Sequence, residues 1–216
     1  MTETDTTRIR YGAAMVVVAP AVLAAGLFSH PFIAVLPDDA AIAAAVTDSP
    51  TRWAMSHMLV AVGSALLLLA FLALRRYLLE AGEDRFSALG LPFIAFGSVL
   101  FAILPALEFA PWVAAEIGGD IEAAQAALLP WFFPTLGLAA VTFVIGIYGF
   151  GKGIARAGIL ASGTTRLVVA ALGVFAVARF VPLGAFQFYV QGAAGLVALW
   201  PLAYRMWTRP TPRTGL

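Results

Sequence analysis

Six long apolar runs constrain this chain more than any other feature of its sequence. They cover residues 12–30, 53–74, 89–109, 130–150, 165–181 and 184–204. An α-helix needs about 20 apolar residues to cross the hydrocarbon core of a bilayer. Only 12% of the residues are charged, against about 25% in a soluble domain, so a water-facing surface could not be covered. The sequence therefore predicts an all-α integral membrane bundle of six transmembrane helices, forming one polytopic domain over residues 1–216.

The connections between the runs are too short for a separate soluble domain. The longest, at 31–52 and 110–129, hold about twenty residues each. The fifth and sixth runs are separated only by residues 181–184, which predicts a tight hairpin. The first run is longer than the apolar region of a secretory signal and has no clear cleavage site, so we expect it to be a retained helix.

The distribution of basic residues predicts that both termini face the cytoplasm. With the N-terminus inside, 11 of the 13 Lys and Arg residues fall on the inner side, and only Arg52 and Arg179 fall in the outer half. Inner loops of membrane proteins are enriched in Lys and Arg. The outer half carries seven of the twelve acids, among them Glu108. A multi-pass protein of the cell membrane, with an acidic outer face, is the expected result.

The two outer connections contain helix-start signals. Asp38 or Asp39 can cap a short helix by accepting backbone N–H bonds. Ser49 followed by Pro50 is typical of the first turn of the second membrane helix. Asp120 can cap a further helix, which we expect Pro130 to close.

Polar side chains that can carry charge are concentrated in the outer half of the predicted bundle. His30 ends the first run, His57 lies one turn inside the second, Glu108 ends the third, and Arg179 lies in the outer half of the fifth. Gln187 and Gln191 begin the sixth. His57 shares a helix face with small residues, as do the two glutamines, and such faces are helix contact surfaces. Because charged groups facing lipid cost several kcal/mol, we expect a buried ligand pocket formed by His57, Glu108, Arg179, Gln187 and Gln191.

Each of these residues also has a purely structural interpretation. His30, beside Pro31, can be solvated at the interface; His57 can be a hydrogen-bonded packing residue; Glu108 can merely flank its helix. Arg179 is harder to explain in this way, because its neighbours are apolar and the short hairpin leaves little room to reach water. We expect Arg179 to have an anionic partner, with Glu108 the first choice.

Two histidines, a carboxylate and an arginine are compatible with a cofactor. His30 and His57 can ligate one haem b, with Arg179 beside a propionate, or join Glu108 in holding a single metal ion. The chain has no cysteine, which excludes thiolate and iron–sulfur sites. His57 lies deeper than His30 and is the ligand expected to matter more.

The sequence alone leaves the class of function open. The alternatives are a haem- or metal-binding bundle, a non-catalytic accessory or structural subunit of a membrane complex, and a small-solute or proton-coupled transporter. No catalytic motif is apparent, so the sequence does not decide whether the protein is an enzyme. The lipid bilayer is the expected partner, with a membrane protein or a second copy of the chain as further alternatives. The net charge of +1 gives no attraction to nucleic acid.

Overall fold

Helices form the regular structure of residues 3–208, which are the residues that the computed structural model describes. In chain order they are α1 (Glu3–Ser29), α2 (Asp39–Asp48), α3 (Pro50–Glu80), α4 (Arg85–Leu107), α5 (Phe109–Glu116), α6 (Ile121–Ala157), α7 (Ser162–Val177) and α8 (Gln191–Thr208). A 3₁₀ turn, Ala178–Phe180, follows α7, and a π-helical segment, Ala185–Val190, precedes α8. The predicted all-α class is confirmed. Arg209 and Arg213, two of the basic residues predicted to lie on the inner side, are outside the described residues.

Five helical segments within residues 3–208 are long and apolar enough to cross a membrane. They are Thr7–Ser29, Pro50–Glu80, Arg85–Glu116, Ile121–Ala157 and Ser162–Phe180. The sixth predicted run is also helical, from Ala185 to Thr208, although it begins as a π-helix. The described helices therefore have the length and the apolar composition of membrane-spanning segments, and each predicted run lies largely within helical structure.

The long helices pack in a closed ring. Contacts join α1 to α3, α3 to α4, α4 to α6, α6 to α7, α7 to α8, and α8 back to α1. Phenylalanine rings fill the middle of this ring: Phe143 lies edge-on to Phe71, Phe101 and Phe175, with centroid distances of 6.4, 5.4 and 5.4 Å. The centre of the bundle is thus a packed aromatic core.

Glycines allow two of the helix pairs to approach closely. A Cβ atom at Gly63 of α3 would lie 2.6 Å from the backbone of Leu23 in α1. A Cβ at Gly146 of α6 would lie 2.7 Å from the backbone nitrogen of Ile94 in α4. Small residues at such positions are the usual means of close helix packing in membranes. The face of α6 that carries Gly146 is therefore a contact face.

The ends of the helices agree with the predicted caps in part. Asp38 accepts a hydrogen bond from the Ala41 nitrogen at 3.0 Å, and Asp120 accepts one from the Ala123 nitrogen at 2.9 Å. Ser49 precedes Pro50 at the start of α3, but its side chain makes no capping bond. The expectation that Pro130 closes the helix was wrong, because α6 continues through Pro130 and Pro134 to Ala157. Packing of α6 against α4, α5 and α2 holds the helix across both prolines.

One end of the ring collects the features that form the site. There α1 ends, α3 begins, α4 ends and α7 ends, and the short helices α2 and α5 pack on them. The segment after α1 pairs with the break between α7 and α8: Leu36 donates to the Pro182 carbonyl at 3.2 Å, and Gly184 donates to the Ala34 carbonyl at 3.0 Å. Gly184 has to be glycine, since a Cβ there would lie 1.9 Å from the Ile33 oxygen. This contact holds His30 beside the π-helical segment.

Candidate metal centre at one end of the bundle

His30, His57 and Glu108 come together although they are distant in the sequence. One ligand atom from each of the three lies within 4.8 Å of the others. The Nε2 atom of His57 is 2.5 Å from Oε2 of Glu108, and the rings of the two histidines are 4.8 Å apart. Both imidazoles are buried, at 6% exposure for His30 and 2% for His57. The interpretation of His30 as a solvated interface residue was therefore wrong.

Backbone carbonyls orient both imidazole rings. Nδ1 of His57 lies 2.7 Å from the carbonyl oxygen of Trp53, one helical turn earlier in α3. Nδ1 of His30 lies 2.7 Å from the carbonyl oxygen of Pro31. A carbonyl oxygen can only accept, so Nδ1 of each ring carries a proton. That arrangement leaves Nε2 of each ring for a second partner, which for His57 is Oε2 of Glu108.

Aromatic and basic neighbours hold the rings in place. His30 stacks on Phe188 at 4.2 Å and lies 5.2 Å from Trp53, whose own ring is 4.3 Å from His57. The Trp53 indole donates to the carbonyl oxygen of Glu108 at 2.9 Å. Arg52 donates to the carbonyl of Ser29, the last residue of α1, at 2.6 Å, and to that of His30, the residue after it, at 3.2 Å. The start of α3 is thus fastened to the ends of α1 and α4.

Burial alters the protonation of His30, which lies just beyond the end of α1. Removal from water is the main cause, with the nearby His57 second, and together with smaller effects they lower the pKa of His30 from 6.5 to about 4. The imidazole of His30 is consequently neutral at neutral pH.

A cavity of about 80 Å³ lies beside the three residues. Its polar lining comes from His30, Trp53, Glu108, Gln125, Arg179 and Gln187. Leu129, Phe132 and Leu136 of α6 form part of an apolar wall. The Gln187 amide already donates to the Val181 carbonyl at 2.9 Å. Two buried atoms on the wall, Oε1 of Gln125 and Nε of Arg179, have no hydrogen-bond partner.

The predicted pocket residues divide between two cavities. Glu108, Arg179 and Gln187 line the larger one. His57 does not line it, but it is bonded to Glu108, which does. Gln191 lines a smaller cavity of about 20 Å³ with Ser64 and, again, Arg179. Arg179 therefore stands between the two.

Arg179 and Glu108, which we expected to be partners, form no direct ion pair. Among the described residues, no ion pair includes Arg179, and Glu108 is bonded to His57 instead. The guanidinium lies 5.9 Å over the ring of Phe101. His57 is the nearer partner because it projects from the first turns of α3, directly beside the end of α4.

Sequence reasoning missed Gln125 and the two orienting carbonyls. Gln125 lies in α6 ahead of the predicted run at 130–150, within a stretch that the sequence presents as a connection. Its position as a single amide in the apolar stretch AAQAALLP was the available signal. The carbonyls of Pro31 and Trp53 could not have been predicted from residue type, because every residue has a backbone carbonyl.

No protein-family model matches the chain, and neither a curated protein nor a solved structure shows significant similarity to it.

Proposed function

We propose that this membrane protein binds one divalent transition-metal ion through His30, His57 and Glu108. The observation that carries the proposal is the orientation of the imidazoles. Metal-ligating histidines ordinarily donate their second N–H to a carbonyl or carboxylate, which fixes the tautomer. His30 and His57 both do so, to Pro31 and Trp53, and the carboxylate of Glu108 lies within reach of both rings.

The donor set favours zinc. Two imidazole nitrogens and one carboxylate oxygen are a set typical of zinc sites that keep a fourth position open, and also of non-haem iron. The ion would replace the proton that now lies between His57 and Glu108. Because zinc lies about 2.0–2.2 Å from such ligands, the 2.5 Å contact between Nε2 and Oε2 has to widen when the ion enters. The fourth position would face the cavity.

The geometry supports a single ion over haem. A bis-histidine haem holds its iron between two imidazoles on opposite faces of the porphyrin. Here the ring centroids of His30 and His57 are 4.8 Å apart, and Phe188 stacks on His30 at 4.2 Å. The space between these two rings is too narrow for a porphyrin. The adjoining cavity of about 80 Å³ is also small beside the roughly 300–1,000 Å³ of ordinary cofactor pockets.

A structural role is the second candidate, and one observation favours it. The bonds from His57 and Trp53 to Glu108 join α3 to the end of α4 without any ion. An accessory bundle could retain the three residues for that purpose alone. Transport is favoured less, because the packed phenylalanines at the centre of the ring offer no polar route.

The same proposal includes the arrangement in the membrane. We infer six crossings, with Ala185–Thr208 as the sixth, both termini in the cytoplasm, and the site at the outer end of the bundle in the cell membrane. The supporting feature is the distribution of charge: the end opposite the site carries Arg75, Arg76, Arg85, Lys152 and Arg156, as the inner side of a membrane protein does.

Zinc binding by purified protein tests the proposal. The chain, stripped with a chelator and dialysed against zinc, should retain about one ion per molecule by elemental analysis. His57→Ala and Glu108→Gln should each lower the affinity at least tenfold, since each removes a ligand. Glu116→Gln, which alters an exposed glutamate on the same side of the bundle, is the matched control and should bind as the wild type does. Equal zinc affinity in all four proteins would leave the structural role as the conclusion.

A further inference from the structure

Arg179 is a cation beside the candidate metal site without a paired anion. Arginine stays protonated at any pH that proteins experience. Its Nε atom is buried and lacks a hydrogen-bond partner, and no carboxylate among the described residues forms an ion pair with it. Phe101 offers only a ring face at 5.9 Å. Arg179 is half-buried, and a charge held so far from water is unfavourable unless something pairs with it.

Glu108 is bonded to the site and forms no direct ion pair with Arg179. It is the one acid among the described residues that line the cavity, and its Oε2 atom is bonded to His57 at 2.5 Å. A divalent ion on the proposed ligands would bind the same carboxylate. The ion and Arg179 would together carry three positive charges against one negative charge. An enclosed site with that balance attracts an anion.

The cavity limits what that anion can be. One water occupies about 10–15 Å³ on this measure, so a cavity of about 80 Å³ holds about five to eight non-hydrogen atoms. The polar part of its lining includes Arg179 and the buried side chain of Gln125. Leu129, Phe132 and Leu136 form an apolar wall. A phosphate or sulfate would turn unpaired oxygens toward that apolar wall, whereas a short carboxylate would not.

We propose that the cavity between Arg179 and the His30–His57–Glu108 site binds a short-chain carboxylate. The planar guanidinium matches the two oxygens of a carboxylate. The amide nitrogen of Gln125 can donate to the head, and the apolar α6 side chains surround the tail. The inference deepens the proposed function, because a bound ion would add a second attraction for the carboxylate. It does not require the ion, since Arg179 lacks an ion-pair partner in either case.

Propionate and propionamide provide a direct test, since they have nearly the same shape and differ in charge. Thermal unfolding of the purified chain in detergent is followed as each compound is titrated, with and without zinc. A compound that binds the folded state raises the midpoint as its concentration rises. Propionate should do so and propionamide should not. Equal effects of the two compounds would overturn the proposal.

Two variants locate the binding. Arg179→Gln should weaken propionate binding at least tenfold, and Arg179→Lys should weaken it to a lesser extent, since lysine keeps the charge but not the planar fork. Arg166→Gln removes an arginine at the other end of α7 and should bind as the wild type does. Unchanged propionate binding in Arg179→Gln would overturn the assignment. If that variant does not fold, unchanged propionate binding in Arg179→Lys would overturn it instead.

Zinc content, measured on the same samples, separates this inference from the metal proposal. Arg179→Gln should keep its zinc, because it lacks only the carboxylate contact. Propionate binding without any zinc uptake would support the anion site and refute the metal site. Zinc uptake with no response to propionate would refute the anion site alone.

Discussion

The contact between His57 and Glu108 is the central interaction at the scale of single residues. The imidazole is buried on α3, the carboxylate side chain is 20% exposed at the end of α4, and their closest atoms are 2.5 Å apart. Trp53 contacts both residues: its carbonyl oxygen accepts from the His57 ring, and its indole N–H donates to the backbone carbonyl of Glu108. Removing either side chain would therefore leave its partner enclosed and unsatisfied.

A double-mutant cycle on the metal-free protein should measure this coupling. Buried groups that share a hydrogen bond or ion pair have interaction energies of about 0.5–3 kcal/mol. We expect the loss of unfolding free energy in the double variant His57→Ala, Glu108→Ala to be smaller than the sum of the single losses by such an amount. The readout is reversible unfolding in mixed detergent micelles. As the control pair, His57→Ala with Glu116→Ala should be additive to within about 0.5 kcal/mol; additivity in both pairs would count against the contact.

At the scale of elements, close approach of helices depends on glycine. The contact of α1 with α3 leaves no room for a Cβ at Gly63, which would lie 2.6 Å from the nitrogen and Cα of Leu23. Backbone atoms cannot move aside as the end of a side chain can. Gly137 on α6 is the opposite case, since a Cβ atom there would meet nothing within 4 Å.

These two glycines should respond differently to the same substitution. Gly63→Ala should destabilise the bundle by about 1–3 kcal/mol, the usual cost of overpacking a core, because α1 must move away from α3. Gly137→Ala should leave the stability unchanged or raise it by up to about 1 kcal/mol, because alanine favours the helix more than glycine does and nothing obstructs its Cβ. Unfolding in mixed micelles gives both values. Equal effects would mean that α1 and α3 pack less closely than the distance at Gly63 requires.

For the whole molecule, the end that carries the site should face outward. The absence of cysteine from the sequence makes single-cysteine labelling unambiguous. A membrane-impermeant maleimide should label Ala44→Cys and Glu116→Cys in intact cells, because α2 and α5 cover the outer end. It should label Ser162→Cys, at the start of α7, only after the cells are opened. All three positions are exposed. Labelling of Ser162→Cys in intact cells would reverse the proposed orientation.

The fold class and the approximate helix positions followed from the sequence because they depend on local properties. A run of about 20 apolar residues has to be a helix in a bilayer, where every backbone polar group needs an internal partner. The caps at Asp38 and Asp120 are likewise local, since each side chain bonds a nitrogen three residues on. Where the prediction failed, as at Pro130, contacts of α6 with α2, α4 and α5 outweighed the local signal.

The tertiary structure alone decided how the polar residues are matched. The sequence placed His30, His57, Glu108 and Arg179 at a common depth, but depth does not specify the rotation of each helix about its axis or which helices are neighbours. The ring order of the helices brings Glu108 to His57 and leaves Arg179 on the cavity wall. The tautomer of each histidine depends on a backbone carbonyl, which every residue possesses. Partners of that kind are selected by packing, and residue identity by itself cannot reveal them.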